Sequence, residues 1–262
     1  MLKSDRLNYI RSMLQQKSNI KVRELSELLN VSDVTIRDDL LRLESEGFVT
    51  RVHGGAVINE HQRNQKIIND IVAAINVPYY KEQEYIGKLA ASMIKESEWV
   101  YIGSGTTCYY IAKELLHRKN INILTNNMYV VNILLANPYI DLIVCGGTLS
   151  HAYNCTFGNL FDKSIGNMIF SKAFFTIGGF DFETGITISS EIEMEILRTV
   201  KRQTKELILV IDSSKFGKKS FMRAEDITLS GTIITDEDIP AEYREYLTKN
   251  GVTVIDEIPA EK

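Results

Sequence analysis

The sequence is short of the residues that mark several large classes of protein. Its 262 residues include four prolines and three cysteines, and its charged side chains leave a net charge of −4. Cys108, Cys145 and Cys155 have neither the spacing of a metal site nor the even number of a disulfide framework, so we expect buried thiols. No apolar run is long enough to cross a membrane, and no signal peptide is recognisable. We therefore expect a cytoplasmic protein without a metal, a cofactor or a membrane contact.

The composition still allows a sizeable folded protein with a local nucleic-acid site. Hydrophobic residues make up 44% of the chain, and 262 residues are enough for one large or two ordinary domains. The net charge of −4 argues against a protein that coats nucleic acid. It is compatible with a basic patch on one face.

The stretch from residue 20 to residue 56 has the pattern of a helix-turn-helix. Apolar residues recur at helical spacing in two segments, which a polar break at residues 30–32 separates. They are Val22, Leu25, Leu28 and Leu29 in the first segment and Ile36, Leu40 and Leu43 in the second. Asn30 is suited to end the first helix and Ser32 to cap the second, with Asp33 favoured at its positive end.

Two flanking segments complete this domain. A helix expected at residues 5–17, with Ser4 as its cap, supplies the third helix of the core. Gly47 stops the second helix of the motif, and residues 48–53 then alternate as a short strand. Gly54-Gly55 turns the chain back, so the pattern predicts a winged helix.

The second helix and the wing carry the candidate DNA contacts. A recognition helix lies in the major groove, where hydroxyl and guanidinium groups meet base edges and phosphates. We expect contacts from Ser32, Thr35, Arg37 and Arg42 in the helical part and from Arg51 and His53 on the wing. A small helical domain with solvated charges is the plainer alternative. The break, the cap, the arginines and the Gly-Gly wing together favour DNA binding.

The segment VSDVTIRDDLLRLESEGFVTRVHGGA resembles the DNA-binding signature of the DeoR family of bacterial repressors. In that family, V-S-x-x-T-I-R-R-D-L is followed by L-E, a glycine and R-x-H-G-G-A. Asp38 stands here in place of the second arginine, on the outward face of the recognition helix. Because a carboxylate repels phosphates, we expect weaker DNA binding or a different operator.

Residues 58–80 are expected to link this domain to a second one. The segment is first polar and then amphipathic, with an apolar stripe on an expected helix within residues 62–75. The stripe consists of Ile67, Ile68, Ile71, Val72 and Ile75. Two interpretations are open: this helix lies on the second domain, or it pairs with its copy in a second subunit. Residues 76–78, which end in a proline, close the segment.

From residue 81 onwards, expected helices and strands alternate as in βαβ units. The expected strands are residues 99–102, 122–124, 142–145, 173–177, 207–211 and, as the final strand, 232–234. Expected helices include residues 82–95 and 191–205. The predicted fold is therefore an α+β winged helix-turn-helix domain, residues 1–57, joined to an α/β, mostly parallel-sheet domain, residues 81–262.

Nearly every expected strand ends in Gly, Thr, Asn or Asp. Ligands of parallel sheets bind at these ends, where glycine admits them to the backbone and a following helix offers free N–H groups. We expect an effector to contact Gly103, Ser104, Gly105, Thr106, Thr107, Asn126, Gly146, Gly147, Asp212 and Lys215. Residues 103–107 suit a phosphate, although they form neither a Walker P-loop nor a dinucleotide fingerprint. Lys215 could bring its charge to the same phosphate or could be a surface lysine in a turn.

The second half of the chain resembles the sensor domain of the same family. IGSGTT, TNN, CGGTL, Gly158, AFFTIGGFD, DSSKFG and IITD stand in the family's order. The resemblance implies a fold similar to ribose-5-phosphate isomerase and an effector that is a phosphorylated sugar or a related metabolite. It also implies phosphate contacts at 105–107 and Lys215. Gly103 stands where the family has an acidic residue, so we expect an unusual effector.

A sugar-phosphate isomerase fused to a DNA-binding head is the alternative function. Isomerisation needs a placed general base, which in the isomerase lies in an Asp-rich stretch followed by Lys-Gly-Gly-Gly and a glutamate. The corresponding segment here, TIGGFDFETGITISSE, has Asp181 and Glu191 but no Lys-Gly-Gly-Gly. We expect Glu191, Glu193 and Glu195 to form the solvated first turns of a helix. The sequence thus favours binding without turnover.

The expected function is a repressor of carbohydrate metabolism genes that is not an enzyme. As a homodimer or homotetramer it would present two recognition helices to the half-sites of operator DNA. A phosphorylated sugar effector would change its affinity for DNA by binding one arrangement of the subunits more tightly than the other.

Overall fold

The computed structural model describes residues 3–59, 80–225 and 230–257. The chain forms two compact units, which divide between residues 74 and 75 and are described here one at a time. The amphipathic stretch at residues 62–75 lies outside the described residues, as do residues 76–78. The linker and its two interpretations therefore stay a prediction.

In the described part of the N-terminal unit, helices pack beside a three-stranded antiparallel sheet. The helices are α1 (Lys3–Lys17), α2 (Val22–Leu29) and α3 (Asp33–Ser45), and the strands are β1 (Asn19–Lys21), β2 (Val49–Val52) and β3 (Gly55–Ile58). β3 pairs with both β1 and β2, so β2 and β3 form the hairpin of the wing. The winged helix-turn-helix is thereby confirmed.

The turns of this unit form where local residues specify them. Asn30 adopts a left-handed φ of 51° and ends α2. The hydroxyl oxygen of Ser32 accepts a hydrogen bond from the backbone N–H of Thr35 at 3.2 Å and caps α3. Gly47 and Gly54, with φ of 70° and 80°, supply the left-handed turns before and within the wing.

Most of the expected apolar positions form the core of this unit. Its buried residues are Leu7, Ile10, Leu14, Ile20, Val22, Leu25, Ile36, Leu40, Leu43, Phe48, Val49, Ala56 and Ile58. Leu28 was expected there, but it is 52% exposed, because an eight-residue helix touches the core along a narrow face. The role expected for Ser4 was also wrong, since α1 begins at Lys3 and Ser4 lies inside its first turn.

The C-terminal unit alternates helices and strands around a seven-stranded sheet. Its helices are α4 (Lys81–Ser92), α5 (Thr106–Glu114), α6 (Met128–Leu134), α7 (Asn159–Ile165), α8 (Glu191–Gln203) and α9 (Ala241–Lys249). Its strands are β4 (Trp99–Ile102), β5 (Ile121–Thr125), β6 (Ile140–Val144), β7 (Thr148–Ser150), β8 (Cys155–Phe157), β9 (Phe170–Phe175), β10 (Gly179–Asp181), β11 (Gly185–Ile188), β12 (Thr204–Val210), β13 (Met222–Glu225), β14 (Thr232–Ile234) and β15 (Thr253–Ile255).

The large sheet has the strand order β15-β14-β12-β9-β4-β5-β6, and every neighbouring pair is parallel. From β4 the chain moves outward through β5 to β6, and then returns to place β9 on the other side of β4. The order reverses between β4 and β9. Such a reversal opens a crevice at the carboxyl ends of the two strands, which is where ligands of open α/β sheets bind.

Each strand expected from the sequence lies in this sheet, so the parallel α/β fold is confirmed. Residues 232–234 are not the final strand, because α9 and β15 follow them. The helix expected at residues 82–95 ends at Ser92. The antiparallel pair β7–β8 and the small antiparallel sheet β10–β11–β13 had no counterpart in the sequence analysis.

The three cysteines are buried inside the C-terminal unit. All three lie in described segments and are free thiols in the interior, as expected. Burial raises the pKa of Cys108 and of Cys145 to about 12. It raises the pKa of Cys155 to about 11, with a smaller contribution from the negative charge of Glu193. These thiols stay protonated at neutral pH and behave as small apolar side chains.

Candidate DNA-binding surface and effector crevice

The amino-terminal end of α3 carries two hydroxyl groups and an exposed guanidinium. Ser32 is exposed and Thr35 half-buried, and their hydroxyl oxygens lie 2.9 Å apart. Arg37 is exposed and has no ion pair in the part of the chain that the structure describes. This end of the helix therefore offers a free cation together with two hydroxyls, which is the arrangement that the sequence predicts.

Arg42 is exposed further along α3, but it forms an ion pair with a carboxylate. Its Nε lies 3.1 Å from Oε1 of Glu46, and Arg11 of α1 contacts the other oxygen of the same carboxylate. The hydrogen bond from Arg42 is the main cause that holds the pKa of Glu46 below its usual value. Arg42 must exchange this partner if it is to bind a phosphate.

Asp38 lies on the outward surface of α3, as the sequence predicts. It is exposed and makes no hydrogen bond or ion pair among the described residues. Arg42, four residues further on, pairs with Glu46 and leaves Asp38 unneutralised. The negative charge of Asp38 is therefore adjacent along the chain to the positive charge of Arg37.

The wing is tied to the recognition helix through Arg51. The backbone N–H of Arg51 donates to Oε1 of Glu44 at 3.0 Å, and its Nε lies 2.7 Å from Oε2. These bonds, the backbone one first, lower the pKa of Glu44. His53 is exposed at the turn of the hairpin.

A buried ion pair fixes α3 to α1, and the sequence analysis did not find it. Asp39 is 1% exposed, and Arg6 is 9% exposed. Nε of Arg6 lies 2.5 Å from Oδ2 of Asp39, and a second guanidinium nitrogen lies 3.2 Å from Oδ1. The hydrogen bond to Asp39 raises the pKa of Arg6. Arg6 and Asp39 are separated by 33 positions, so no local pattern indicates the pair.

In the C-terminal unit, residues 103–107 leave β4 at the crevice and begin α5. Gly105, with a φ of 98°, is the N-cap and supplies no side chain to the free N–H groups of the first helical turn. A Cβ atom on Gly105 would lie 2.6 Å from Cγ2 of Thr176, so the loops after β4 and β9 touch. Thr106 is half-buried, and Ser104 and Thr107 are buried.

Gly103, which stands in place of the acidic residue of the family pattern, lies close to the neighbouring strand β9. A Cβ atom at this position would lie 3.0 Å from the carbonyl oxygen of Phe174 and 3.2 Å from the ring of Phe175. It would also lie 3.4 Å from the ring of Tyr101. A side chain at this position would be tightly packed, and its neighbours would have to shift by a few tenths of an ångström.

Asn126 and Asn127 follow β5, and both are completely buried. Oδ1 of Asn126 accepts from the hydroxyl of Tyr101 at 2.6 Å, and its Nδ2 donates to the carbonyl of Thr156 at 2.8 Å. Asn126 therefore connects two loops through its amide, and the direct effector contact expected for it stays a prediction. Asn127, which was not proposed, binds the carbonyls of Gly103 and Gly105 at 3.0 and 3.1 Å and holds the glycine loop.

Gly146 and Gly147 stand two strands away from β4, after β6 at the edge of the sheet. Gly147 has a φ of 146°, and a Cβ atom there would lie 2.4 Å from the carbonyl oxygen of Phe157. These glycines open the β7–β8 hairpin, which returns to the end of β5, where the N–H of Thr156 donates to the carbonyl of Asn126 at 2.9 Å. The structure gives Gly147 a close backbone approach to Phe157, where the chain enters β7 at the open end of this hairpin.

Lys215 is half-buried in the turn after β12 and has no ion pair among the described residues. β9 lies between β12 and β4, so the loop of Lys215 is not next to the 103–107 loop. Asp212 of the same turn is buried and accepts from the hydroxyl of Ser214, and Oδ2 of Asp236 binds the N–H of Ser213 at 2.6 Å. Asp212 thus shapes the turn that presents Lys215.

Glu193 faces the same region, although the sequence placed it in solvent. Glu191 and Glu195 are exposed as expected, but Glu193 is half-buried and its Oε2 accepts from the backbone N–H of Ser189 at 2.7 Å. Burial raises the pKa of Glu193 against the opposing effects of this hydrogen bond and of the positive charge of Lys215. The expectation for Glu193 was wrong, because a loop after β11 covers the first turn of α8.

Asp181 is occupied by turn and salt-bridge contacts. Although partial burial opposes the shift, the N–H of Glu183 at 3.0 Å and the ammonium of Lys219 at 3.3 Å lower the pKa of Asp181. Within the described ranges, no group of three or more His, Cys, Asp or Glu is placed to hold a metal ion. No helix in those ranges is long and apolar enough to span a membrane.

Comparison with known proteins identifies both units. Residues 6–62 match the DeoR-like helix-turn-helix domain, and residues 79–237 match the DeoR C-terminal sensor domain. The putative aga operon transcriptional repressor of Escherichia coli O157:H7 is 33% identical, over 96% of this chain and 93% of that protein. The lactose phosphotransferase system repressor of Lactococcus lactis subsp. lactis is 32% identical, over 95% and 97%.

Ribose-5-phosphate isomerase A of Methanocaldococcus jannaschii is a solved structure with a distant similarity. It is 14% identical with a TM-score of 0.37, over 51% of this chain and 53% of that one. A similarity of this size transfers neither residues nor chemistry.

Proposed function

The chain belongs to the DeoR family of transcriptional regulators, and we propose that it represses carbohydrate metabolism genes until a phosphorylated sugar changes its affinity for operator DNA. Its relatives include an aga operon repressor and a lactose phosphotransferase system repressor, and these names support a sugar-linked gene set. Family and relatives are regulators and not enzymes. The salt bridge of Asp181 with Lys219 is consistent with that, because a general base must be free to accept a proton.

For DNA binding, the observation that supports the proposal is the exposed amino-terminal end of α3. Arg37 is exposed and without an ion pair among the described residues, and the hydroxyls of Ser32 and Thr35 belong to the same end of the helix. We propose that Arg37 reads a base edge and that Arg42, Arg51 and His53 contact phosphates or the minor groove. Arginine reads guanine with two parallel hydrogen bonds, whereas phosphate contacts fix the register.

For effector binding, the observation that carries the proposal is the reversal of strand order between β4 and β9. Residues 103–107 lie at that position with the uncapped first turn of α5 behind them. We propose that Gly105, Thr106 and Thr107 hold the phosphate of the effector and that Lys215 approaches it from the far side of β9. Ser104 is buried within this loop.

We propose that the regulator acts as a homodimer or homotetramer in the cytoplasm, where its operator DNA would be. Two-fold symmetry would set two α3 helices against related half-sites. The effector would then act by linkage, because it binds the DNA-competent and DNA-incompetent arrangements with different affinity. The two interpretations of residues 62–75 bear on how the subunits meet.

The proposal is tested in two steps on the full chain. Operator sequences are first selected from a random DNA pool by gel shift. The melting temperature is then measured with ribose 5-phosphate, fructose 6-phosphate, glucose 6-phosphate and galactose 6-phosphate, because a ligand of the folded state raises it by mass action. At least one sugar phosphate should raise the melting temperature and change operator affinity. A specific operator with no response to any sugar phosphate would overturn the effector part alone.

A further inference from the structure

The loop that follows β9 carries a second cluster of polar groups beside the proposed phosphate site. Gly178 has no side chain, and a Cβ atom there would lie 2.6 Å from Oγ of Ser220 and 3.2 Å from Oγ of Ser189. The two serine hydroxyls are 3.3 Å apart. Glu193 joins them, since it accepts the backbone N–H of Ser189. The cluster thus combines one carboxylate and two hydroxyls, and Gly178 leaves the room that the Ser220 side chain occupies.

The position of this cluster relates it to the phosphate site. Thr176, two residues before Gly178, is the residue that Gly105 approaches across the crevice. The loops after β4 and β9 are therefore neighbours, and a ligand held at one can reach the other. Because β4 and β9 are adjacent parallel strands, their ends are separated by about 5 Å, which is shorter than a pentose or hexose phosphate.

Two neighbouring groups, Lys215 and Cys155, interact electrostatically with Glu193. Lys215, in the turn after β12, favours its ionised form. Cys155 of β8 lies close enough for the charge of Glu193 to raise the pKa of that thiol, which burial already holds at about 11. Cys155 is therefore neutral, and Lys215 is the cation that balances Glu193. Half-burial and this balance suit a carboxylate that accepts hydrogen bonds from a neutral ligand.

Helix capping accounts for the hydrogen bond that one carboxylate oxygen of Glu193, Oε2, accepts. Ser190 caps α8, because its hydroxyl oxygen accepts the N–H of Glu193 at 3.3 Å, and Oε2 of Glu193 accepts the N–H of Ser189 at 2.7 Å. This arrangement resembles a capping box, in which glutamate and glutamine serve equally well. The hydroxyl of Ser189 also forms a hydrogen bond with Glu193, which makes this serine and the carboxylate one polar unit. Because each carboxylate oxygen can accept more than one hydrogen bond, Glu193 keeps acceptor capacity for a ligand.

We propose that Glu193, Ser189 and Ser220 bind the hydroxyl groups of the effector's sugar, at the end away from the phosphate. This inference rests on the proposed sugar-phosphate effector and names the part of the site that distinguishes one sugar from another. Glu193 accepts hydrogen bonds from sugar hydroxyls, and the serines can donate or accept. The glycine at 178 lets the Ser220 side chain pack against the loop, which places its hydroxyl beside that of Ser189. Amino sugars, whose ammonium would pair with the carboxylate, are the competing ligand class.

The test is calorimetry on the full chain with Glu193→Gln, using the tightest binder among the four sugar phosphates named above. The glutamine keeps the cap, so the melting temperature without ligand should stay near that of the wild type. A hydrogen bond to a charged group is replaced by one to a neutral group, so affinity should fall about ten- to a hundredfold. Glu195→Gln, an exposed glutamate of the same helix, is the matched control and should change nothing.

Further ligands separate the possible outcomes. Inorganic phosphate should compete equally well against both proteins, because Glu193 does not touch it. The 2-deoxy analogues of ribose 5-phosphate and glucose 6-phosphate show whether the loss depends on a sugar hydroxyl. Equal affinity of wild type and Glu193→Gln for the sugar phosphate would overturn this inference and leave the proposed function standing. Glucosamine 6-phosphate binding better than glucose 6-phosphate, with the gain lost in Glu193→Gln, would overturn the assignment to hydroxyls. If no sugar phosphate binds the wild type, both proposals fall.

Discussion

The DNA-binding surface takes its side chains from one continuous segment, residues 32–53, whereas the effector crevice gathers loops from residues 103 to 220. On the DNA-binding surface, exposed charged groups stand on one rigid helix and its wing. In the crevice, glycines expose the backbone, and polar side chains are half-buried or buried.

This difference predicts whether a substitution should change DNA binding, effector binding or the stability of the fold. A surface arginine such as Arg37 can be removed without disturbing the fold, so its loss should affect DNA alone. A residue that joins distant segments, such as Asp39, supports the element on which the surface stands. A crevice residue such as Lys215 should affect the effector and spare the DNA. The predictions below test this separation, from the largest expected effect to the smallest.

The largest effect is expected from Asp39→Ala. It leaves the buried guanidinium of Arg6 without a partner, and breaking a buried ion pair costs about 3–5 kcal/mol. Urea unfolding, with hydrogen exchange of the α3 amides, measures the loss in the N-terminal unit. Replacing both partners at once, by Arg6→Met with Asp39→Leu, should recover most of it. The control is Glu27→Ala, which removes the partner of Arg23 in an exposed ion pair and should change the stability little. A loss of stability in Asp39→Ala as small as that in Glu27→Ala would contradict the expectation.

The next effect is the loss of specific DNA binding in Arg37→Ala. If Arg37 reads a base, the change costs roughly 1–3 kcal/mol per half-site, and discrimination relaxes at one base position. Gel shifts on the selected operator and its single-base variants measure both. Arg23→Ala is a matched control, because Arg23 is 86% exposed on α2 and engaged with Glu27. Unchanged affinity with an unchanged circular dichroism spectrum would remove Arg37 from the interface.

A smaller effect is expected in the crevice from Lys215→Ala. A charge-assisted hydrogen bond contributes about 1.5–3 kcal/mol, so sugar phosphate should bind roughly ten- to a hundredfold more weakly. The dephosphorylated sugar should bind poorly to the wild type and be indifferent to the change. Calorimetry on both ligands measures this, with Lys205→Ala, an exposed lysine at the opposite end of β12, as the control. Equal losses for both ligands would assign Lys215 to the fold, and DNA binding without effector should not change.

The smallest effect is expected from Asp38→Arg. It restores the family pattern and places a cation next to Arg37, so binding to most DNA sequences should tighten. Each additional phosphate contact steepens the dependence of log affinity on log salt by about 0.9. Gel shifts over a series of salt concentrations give the slope. An unchanged slope would show that position 38 points away from the DNA backbone, since Arg42 is already engaged by Glu46.

The same contrast explains what could be predicted from the sequence. The turns of the DNA-binding unit depend on single residues, such as the left-handed Asn30 and the Ser32 cap, and local patterns indicate these reliably. The burial predicted for Leu28 was wrong, because the sequence of a short helix does not show which of its flanks meets the core. Asp39 was missed because its partner lies in another helix.

In the crevice, strand ends could be predicted but side-chain availability could not. Asn126 follows a strand as expected, yet Tyr101 and Thr156 use both ends of its amide. Glu193 lies in a helical first turn that looks solvated in the sequence, and the fold half-buries it beside Ser189, next to the Ser220 hydroxyl from a segment 31 positions further along. Burial and saturation of polar groups depend on segments that are far apart in the chain.

The central claim is that the crevice and the DNA-binding surface are linked through a ligand. It is tested most directly by measuring operator affinity of the full chain by fluorescence anisotropy, with and without the sugar phosphate that raises the melting temperature. The account predicts a change of about fivefold or more in either direction, and the same factor in sugar phosphate affinity when the operator is saturating, because linkage is reciprocal. Tight sugar phosphate binding that leaves operator affinity unchanged would contradict it.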